Sequence, residues 1–421
     1  MTSQLPLADH SSMLPDFLTG HIELEHTDDG GIIPHRLPTW ARTQLADPQI
    51  DMVEAQPAGV RLEFRTTASV VEVDAAPTRF MYRGLPPRPD GLWDVVVDGV
   101  LVAQESVNGG TRIVLDPRGG APEVTREPAG TVRVEVQGAS GAGSPEGRES
   151  TVQIWLPTHE KTEVTALRAD APVVPLGGAA GTEPAAEAPS PGSAPAGSRC
   201  RWVHHGSSIS HGSNATSPTT TWIGRVAREQ DLDVLNLGFG GSMMLDQAVA
   251  RTIRDAEADL ISIKVGINLV NADLMRMRAF RSALHGFLDT VREGHPETPL
   301  LVVSAIHCAI HEEVPGPGAF DPAAAAEGRM AFMVTGDAAE VPAGKLTLQT
   351  IRAEVARVCA ERQEHDPHLF RVDGLDLFGA ADEAELPFAD NLHPGPEAHA
   401  RIAERFRSHT FGPGGAFAVA R

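Results

Sequence analysis

A serine that follows a short apolar run is the first residue of this chain whose type and place could do chemistry. Ser208 lies in His205-Gly206-Ser207-Ser208-Ile209-Ser210, directly after the run Arg201–His204. A serine on a strand-to-helix turn is exposed at the edge of a sheet, where backbone N–H groups can hold an oxyanion. Taken alone, such a serine-rich turn is more often a helix cap. The GxSxG pattern is not met either, because Ser210 stands at the place of its second glycine.

An aspartate and a histidine three residues apart could complete the chemistry of that serine. Asp390 and His393 lie in Ala389-Asp390-Asn391-Leu392-His393-Pro394, near the carboxyl terminus. A carboxylate at this spacing can accept a hydrogen bond from Nδ1, which leaves Nε2 to take a proton from a serine. Asp-x-x-His also arises by chance, and alone it is more often structural. Here it follows the last apolar run and precedes the final helical stretch, so it could reach the same sheet edge as Ser208.

Two further segments could supply hydrogen-bond donors to an oxyanion. Asn236-Leu237-Gly238-Phe239-Gly240-Gly241-Ser242 follows the second apolar run, and its glycines allow close backbone approach and free N–H groups. A glycine-rich turn can also cradle a phosphate, but this one lacks the last glycine of the dinucleotide-binding fingerprint. Gly266-Ile267-Asn268 follows the third run, and the amide of Asn268 could donate into the same crevice. Each of these signals is weak by itself.

The elements that must position these residues alternate along the second half of the chain. Apolar runs typical of buried parallel strands lie at Arg201–His204, Leu232–Leu237, Leu260–Val265, Leu300–Ala305 and Leu369–Val372. Helical stretches lie between them at Met244–Asp255, Asp273–Glu293 and Thr347–Glu364. This alternation predicts an α/β domain over residues 200–421, with a doubly wound, flavodoxin-like parallel sheet. Ligands of such sheets bind at the carboxyl ends of the strands, where all four segments would meet.

The first part of the chain is typical of β-structure. Short alternating or apolar runs lie at Gly59–Phe64, Ser69–Val73, Trp93–Val97, Val100–Ala103, Thr131–Val136 and Thr151–Leu156. Turn-forming residues separate them, and no stretch has convincing helical periodicity. Residues 1–175 are therefore expected to form an antiparallel β-sandwich. Residues 176–199 are rich in Gly, Ala and Pro and are expected to be a linker.

Bulk properties narrow the classes of partner. The net charge of −21 argues against binding to nucleic acid or to anionic membranes. No apolar run approaches the length of a membrane helix, and the amino terminus carries no secretory signal, so a cytoplasmic protein is expected. Cys200, Cys308 and Cys359 have no CxxC spacing and are expected to be free thiols. The oligomeric state stays open.

Taken together and in this order, the four segments resemble the SGNH/GDSL hydrolase superfamily, whose blocks contribute a serine, a glycine, an asparagine and an Asp-x-x-His pair. The matching segments are Gly206-Ser207-Ser208, Gly241, Gly266-Ile267-Asn268 and Asp390 to His393. Two departures are mild: Ser207 stands where most members carry aspartate, and Leu269 stands where aspartate is common.

A closer resemblance extends over nearly the whole chain. Gly59–Thr66, Trp155-Leu156-Pro157 and His205–Gly212 look like one actinobacterial subgroup of the superfamily. That subgroup joins a jelly-roll-like domain to the SGNH domain, and it includes an acyltransferase that decorates a polyketide with a salicylyl group. The resemblance thus implies a jelly-roll-like form for the expected sandwich. It constrains the chemistry better than the substrate.

The resemblance implies a serine-hydrolase mechanism without a metal or organic cofactor. Ser208 would attack an acyl carbonyl while His393 accepts its proton and Asp390 orients the imidazole. The oxyanion would be held by the N–H groups of Ser208 and Gly241 and by the side-chain amide of Asn268. The expected substrate is a small-molecule acyl ester or thioester. Cleavage of a carboxylic ester is the leading interpretation.

Other functions stay open beside ester cleavage. The same residues would serve an acyltransferase that moves an acyl group from a thioester to an acceptor alcohol. A carbohydrate-binding protein with a degenerate SGNH domain is a further alternative, as is nucleotide binding at the glycine turn. Gly240 is the alternative to Gly241 as the glycine donor.

Several other residues have both a structural and a functional interpretation. His204, His205 and His211 could hold zinc, although adjacent histidines on a strand point to opposite faces. Trp222 could line an acyl pocket or belong to the core of a helix. Residues 312–345 are long for a connection and could be a lid, a specificity element or a disordered insertion.

Overall fold

Alternation of buried and exposed side chains builds the sheets of the amino-terminal part. The computed structural model describes residues 7–84, 87–116, 119–136, 148–176 and 199–418. The alternation is clearest from Val71 to Arg79, where every second side chain is buried. The strands of this part are β1 (Ala8–Asp9), β2 (Leu18–Thr19), β3 (Glu23–His26), β4 (Ile32–His35), β5 (Arg61–Thr66), β6 (Val70–Tyr82), β7 (Leu92–Val97), β8 (Val100–Ser106), β9 (Gly110–Leu115), β10 (Glu123–Glu127), β11 (Gly130–Glu135), β12 (Ser150–Trp155), β13 (Lys161–Ala169) and β14 (Val173–Pro175).

These strands form two sheets that share one apolar cluster. One sheet has the order β10-β9-β6-β13-β4-β3, with β1 paired to β13 and β11 paired to β6. The other has the order β14-β5-β12-β7-β8, with β2 paired to β5. The pairings are antiparallel except that of β6 with β9. Val73 of the first sheet and Val152 of the second lie in the same buried cluster. The predicted antiparallel sheets are therefore present.

The first part also contains helices, although none of its stretches has convincing helical periodicity. It holds α1 (Leu14–Phe17), α2 (Thr39–Leu45) and α3 (Pro48–Glu54). The carboxylate of Asp47 caps α3 by accepting from the N–H groups of Gln49 and Ile50. Seven residues are too few for an apolar repeat to stand out. Moreover, Ile50 and Val53 pack into the apolar cluster of the second part rather than between the two sheets.

A parallel sheet organises the second part. Within residues 199–418 its order is β16-β15-β17-β18-β21, which is the flavodoxin-like order 2-1-3-4-5. The strands of this part are β15 (Arg201–Gly206), β16 (Asp233–Gly238), β17 (Leu260–Lys264), β18 (Leu300–Val303), β19 (Gly318–Phe320), β20 (Phe332–Val334) and β21 (Leu369–Val372). The predicted α/β class with a parallel sheet is confirmed. Strands β19 and β20 pair with each other as a separate antiparallel hairpin.

Helices connect the parallel strands close to where the sequence predicts them. They are α4 (Ser208–His211), α5 (Trp222–Glu229), α6 (Gln247–Asp255), α7 (Ile267–Asn271), α8 (Met277–Gly294), α9 (Pro322–Ala326), α10 (Leu348–Gln363), α11 (Gly374–Leu377), α12 (Ala380–Glu385) and α13 (Pro396–Phe411). None of the helices in the described ranges is both long and apolar enough to span a membrane. Most of the predicted linker, residues 177–198, lies outside the described residues.

Buried charges join the two parts of the chain. The guanidinium of Arg61 on β5 donates to Glu63 Oε1 at 2.9 Å and to Asp233 Oδ1 on β16 at 2.8 Å. Arg199 also pairs with Glu63. Burial opposes ionisation of Glu63, but Arg61 and Arg199 outweigh it and lower the pKa of this carboxyl to about 2. This network therefore ties β5 of the first part to the edge strand β16 of the second.

Candidate active site

The structure brings Ser208, Asp390 and His393 together in one hydrogen-bonded chain. His393 Nε2 lies 2.9 Å from Ser208 Oγ, and His393 Nδ1 lies 2.8 Å from Asp390 Oδ2. Both distances fall in the range of about 2.6–3.2 Å that proton transfer requires. Ser208 is 7 % exposed, Asp390 9 % and His393 8 %, so these three hydrogen-bonded side chains are largely shielded from water.

Ser208 is held at the carboxyl end of β15 by a short helix. Ser207 caps α4, and its hydroxyl accepts from the N–H of Ile209. Serine and aspartate are both favourable caps, which gives a physical reason why serine serves at this position. Gly206 is required, because a Cβ there would lie 2.3 Å from Ser210 Oγ. Ser208 therefore stands at the start of the helix, where N–H groups and the helix dipole favour negative charge.

Asp390 is held as an anion by its surroundings. Oδ1 accepts from the backbone N–H groups of Leu392 at 3.0 Å and His393 at 2.8 Å. Burial raises the pKa of Asp390, but the hydrogen bonds from the His393 ring and from these N–H groups dominate and lower it to about 2. The carboxylate anion accepts a hydrogen bond from Nδ1–H of His393. Nε2 then carries no proton and can accept a hydrogen bond from the Ser208 hydroxyl.

Asn214 is a residue of this site that the sequence did not single out. Its Nδ2 donates at 3.0 Å to Asp390 Oδ2, the same oxygen that lies against His393 Nδ1, and so it helps to orient the carboxylate. Asn214 adopts a φ of 64°, a left-handed conformation that asparagine tolerates better than most residues. The segment Ser213-Asn214-Ala215 is a turn in which an asparagine has an ordinary structural explanation, so no local signal marks the residue.

Asn268 lies at the start of α7 with its amide oriented. Its Oδ1 accepts from the backbone N–H of Met243 at 3.1 Å. The Asn268 side chain is nearly buried, so this bond fixes which end of the amide is the acceptor and leaves the NH₂ group as a donor. The NH₂ group of Asn268 is therefore available to donate a hydrogen bond.

The glycine turn is tied by hydrogen bonds to α4, the helix that begins at Ser208. Asn236 Nδ2 donates to the carbonyl of Ser210 at 2.9 Å, and Asn236 Oδ1 accepts from the N–H of Gly238 at 2.9 Å. Phe239 N–H donates to the carbonyl of Gly206 at 2.9 Å. The loops that follow β15 and β16 are therefore one hydrogen-bonded unit.

A wholly buried arginine from the first part supports the same turn. Arg36 Nη1 donates to the carbonyls of Asn236 at 2.8 Å and Gly238 at 2.7 Å, and its Nη2 bonds the carbonyl of Val53. Burial lowers the pKa of Arg36 to about 9, although Glu54 opposes the shift. Sequence reasoning missed Arg36, because its partners lie about two hundred positions along the chain.

Gln49 of α3 holds the peptide bond between Gly240 and Gly241. Its Nε2 donates to the carbonyl of Gly240 at 2.9 Å. In a trans peptide the N–H points opposite to the C=O, so this bond directs the Gly241 N–H away from Gln49. A Cβ on Gly240 would lie 3.9 Å from Ser208 Cβ, so the turn borders the nucleophile. Gly241 has a φ of 75°, which favours glycine.

The histidines near the nucleophile have structural partners. His204 bridges Ser262 Oγ at 2.7 Å and Ser210 Oγ at 2.8 Å, while His205 Nδ1 lies 2.7 Å from the carbonyl of Leu237. These two rings lie on opposite faces of β15. Across the described ranges no group of three or more His, Cys, Asp or Glu side chains could hold a metal ion.

Trp222 belongs to the apolar core of the second part, which was one of the two interpretations of this residue. It is fully buried, and its ring lies 5.0 Å from that of Phe406 on α13. Cys200, Cys308 and Cys359 are free thiols, as predicted.

The long segment from residue 312 to 345 is folded against the catalytic loop, by which we mean the loop from Asp390 to His393. It carries the β19–β20 hairpin and α9. The N–H of Phe332 donates to the carbonyl of Asp390 at 2.9 Å, and Asn391 Nδ2 donates to the carbonyl of Phe332 at 3.2 Å. The alternative of a disordered insertion is therefore excluded.

Comparison with solved structures finds this architecture in other proteins. The salicylyl-acyltransferase SsfX3 from a tetracycline biosynthetic pathway is 25 % identical, with a TM-score of 0.69 over 95 % of this chain and 96 % of its own. A protein of Bacteroides ovatus ATCC 8483 described as a GDSL-like lipase is 17 % identical, with a TM-score of 0.59 over 96 % of both chains. A family two carbohydrate esterase from Clostridium thermocellum is 12 % identical, with a TM-score of 0.51 over 85 % of this chain and 93 % of its own. The last two share the fold alone.

The family model agrees with the geometry of the site. No curated protein sequence matches the chain. Residues 200–314, which include Ser208, Gly241 and Asn268, match the model of the GDSL-like lipase/acylhydrolase family. The predicted resemblance to SGNH/GDSL hydrolases is thereby confirmed, because these residues are similar to that family in sequence.

Proposed function

We propose that this protein is a serine hydrolase that cleaves carboxylic esters through an acyl-Ser208 intermediate. The observation that carries the proposal is the chain Ser208–His393–Asp390, with 2.9 Å and 2.8 Å between the partner atoms. These contacts can activate the Ser208 hydroxyl. His393 has a free Nε2 that can take the hydroxyl proton, and the Asp390 anion holds the imidazole in that tautomer.

The reaction would proceed in two halves. As the bond from Ser208 Oγ to the acyl carbon forms, the hydroxyl proton passes to His393 Nε2. The negative charge on the carbonyl oxygen would be met by the N–H groups of Ser208 and Gly241 and by the NH₂ of Asn268. His393 then gives its proton to the ester oxygen as the bond from carbon to oxygen breaks, and the alcohol leaves. Water repeats these steps in the second half and releases the acid.

Acyl transfer to an alcohol is the second candidate function. It uses the same residues, with an alcohol in place of water in the second half and a thioester as a suitable acyl donor. The observation that favours it is the likeness to a salicylyl-acyltransferase along 95 % of this chain at 25 % identity. The intact hydrogen-bonded chain at Ser208 speaks against a degenerate domain that only binds carbohydrate.

We also propose a division of labour along the chain. Residues 1–175 would be a jelly-roll-like sandwich and residues 200–421 the SGNH domain, joined by the linker at 176–199. The substrate would be a small-molecule acyl ester or thioester, and the protein would act in the cytoplasm. Arg36 and Gln49 support this scheme, because they carry bonds from the first domain to the glycine turn of the second.

An acyl-donor screen tests the proposed function. p-Nitrophenyl esters of increasing chain length are compared with acyl thioesters, each with and without an acceptor alcohol. We expect ester cleavage that Ser208→Ala abolishes and that Cys200→Ala leaves intact. Release of acyl-alcohol rather than free acid would favour the transferase. Turnover that survives in Ser208→Ala would refute both.

A further inference from the structure

Two aromatic rings lead from the catalytic imidazole to the solvent. The ring of Phe332 lies edge-on to His393, with centroids 5.5 Å apart and an interplanar angle of 74°. Phe320 stacks on Phe332, with centroids 5.1 Å apart and an angle of 30°. Phe320 is 52 % exposed although it is a large apolar side chain. A row of two rings therefore begins against the His393 imidazole and ends at the surface.

The hairpin that carries the two rings is held in place by its backbone. Phe320 and Phe332 are directly opposed residues of β19 and β20, so both lie on one face of the hairpin. Hydrogen bonds of the Phe332 main chain to Asp390 and Asn391 anchor that face to the catalytic loop. Met333 lies on the opposite face. The backbone thus fixes the hairpin relative to His393, and Phe320 packs on Phe332 while about half of its own surface stays open to solvent.

The direction of the reaction decides which part of a substrate meets these rings. The carbonyl must lie between Ser208 Oγ and the oxyanion donors, a side that Gln49 and Val53 of α3 border. The alcohol oxygen must lie where His393 Nε2 can protonate it. The alcohol portion therefore passes the imidazole on its way to solvent, where the row of rings begins.

We propose that Phe332 and Phe320 form the subsite for the alcohol portion of the substrate and select alcohols that carry a flat aromatic ring. This proposal rests on the proposed ester chemistry of Ser208. A third aromatic ring can extend the stack in the offset or edge-on arrangements that aromatic rings favour. A puckered saturated ring of similar size has no π face and keeps only the weaker apolar contact. An acceptor alcohol in a transfer reaction would use the same subsite, because it reverses the path of the leaving alcohol.

Matched esters separate ring flatness from size and from the chemical step. Naphthalen-2-ylmethyl acetate is compared with decahydronaphthalen-2-ylmethyl acetate, and ethyl acetate serves as the ester without a ring. For Phe320→Ala and Phe320→Leu we expect the preference in kcat/KM for the flat ring to fall by about threefold to tenfold. kcat/KM for ethyl acetate should fall by less than kcat/KM for the naphthyl ester, because an ethyl group has no ring to stack on Phe320. Met333→Ala is the control, because Met333 is 37 % exposed on the other face and should keep the preference.

A binding measurement tests whether Phe320 contributes to the subsite, and it does not depend on ester turnover. Fluorescence titration with naphthalen-2-ylmethanol should give a Kd that rises by about threefold to tenfold in Phe320→Ala and is unchanged in Met333→Ala. An unchanged Kd together with an unchanged preference would overturn the subsite even if Ser208→Ala abolishes hydrolysis. Conversely, hydrolysis that survives in Ser208→Ala would refute the proposed function, while binding that depends on Phe320 would still support the subsite.

Discussion

Gln49 Nε2 donates to the carbonyl oxygen of Gly240 at 2.9 Å, so a helix near the amino terminus fixes a peptide bond beside the nucleophile. A residue of the first part is thus in direct contact with the glycine turn. The Arg36 guanidinium supports the same turn, because it donates to the carbonyls of Asn236 and Gly238. The first part therefore supports the conformation of the turn that carries Gly241, one of the proposed oxyanion donors.

The first prediction concerns Gln49. In Gln49→Ala the peptide between Gly240 and Gly241 loses its anchor, so we expect kcat to fall by about tenfold, less than the ~10²–10³-fold that follows removal of a donor itself. KM should change little, because the bond does not touch the substrate. Steady-state kinetics on one p-nitrophenyl ester measures both constants. Gln44→Ala on α2, where Gln44 bonds Arg251, is the matched control and should behave like the wild type. An equal loss in both variants would argue for a general effect on the fold.

The second prediction concerns Asn268. Asn268→Ala keeps the nucleophile and removes one oxyanion donor, so kcat should fall by about 10²–10³-fold. The unfolding midpoint in denaturant should be measured beside it, because Asn268 also accepts from Met243 N–H. A loss that appears only in KM would contradict the oxyanion role.

The third prediction concerns the tautomer of His393. Asp390→Asn leaves both reacting groups in place but no longer selects the Nδ1–H form, so kcat should fall by about 10⁴-fold, between Asn268→Ala and Ser208→Ala. Asp376→Asn removes an exposed carboxylate elsewhere and should have no effect. Rates close to wild type in Asp390→Asn would show that another group orients the ring.

The fourth prediction concerns stability against pH. Glu63 has a pKa of about 2 in the folded protein against an ordinary value of 4.5, so the folded state releases this proton more readily than the unfolded chain. Its contribution is therefore fully present above about pH 4.5 and is lost as the pH falls toward 2. Glu63→Gln should lower the free energy of unfolding by about 3–5 kcal/mol at pH 7, as for a broken buried pair.

Denaturant unfolding between pH 3 and pH 7 tests this sign. The difference between wild type and Glu63→Gln should shrink as the pH falls through 4.5. A difference of the same size at both ends of the range would mean that the Glu63 charge has no part in it.

Local spacing explains which parts of the site the sequence could predict. Asp390 and His393 lie on one short loop, and Ser208, Gly241 and Asn268 each follow a strand whose apolar run is plain. Parallel strands bring such loops to one edge by topology alone. Arg36, Gln49 and Asn214 make their contacts with residues far along the chain, so no window of sequence contains both partners.

The elements that were misjudged have physical reasons as well. The apolar run Ser69–Val73 predicts only the first part of β6. The strand continues through Ala75-Ala76-Pro77 to Tyr82. Alanine and proline are depleted in strands, and here tertiary pairing with β13 overrides that preference. Likewise, α3 buries its apolar side chains against the second part of the chain, a partner that local periodicity cannot reveal.

Trapping of the acyl-enzyme tests the central claim most directly. The protein is mixed with p-nitrophenyl acetate, quenched in acid within the first turnovers, digested and analysed by mass spectrometry. The account predicts one added acetyl group on the peptide that contains Ser208, formed at the rate of the p-nitrophenol burst and absent in Ser208→Ala. Acetylation of a different side chain at the burst rate, with Ser208 unmodified, would contradict it.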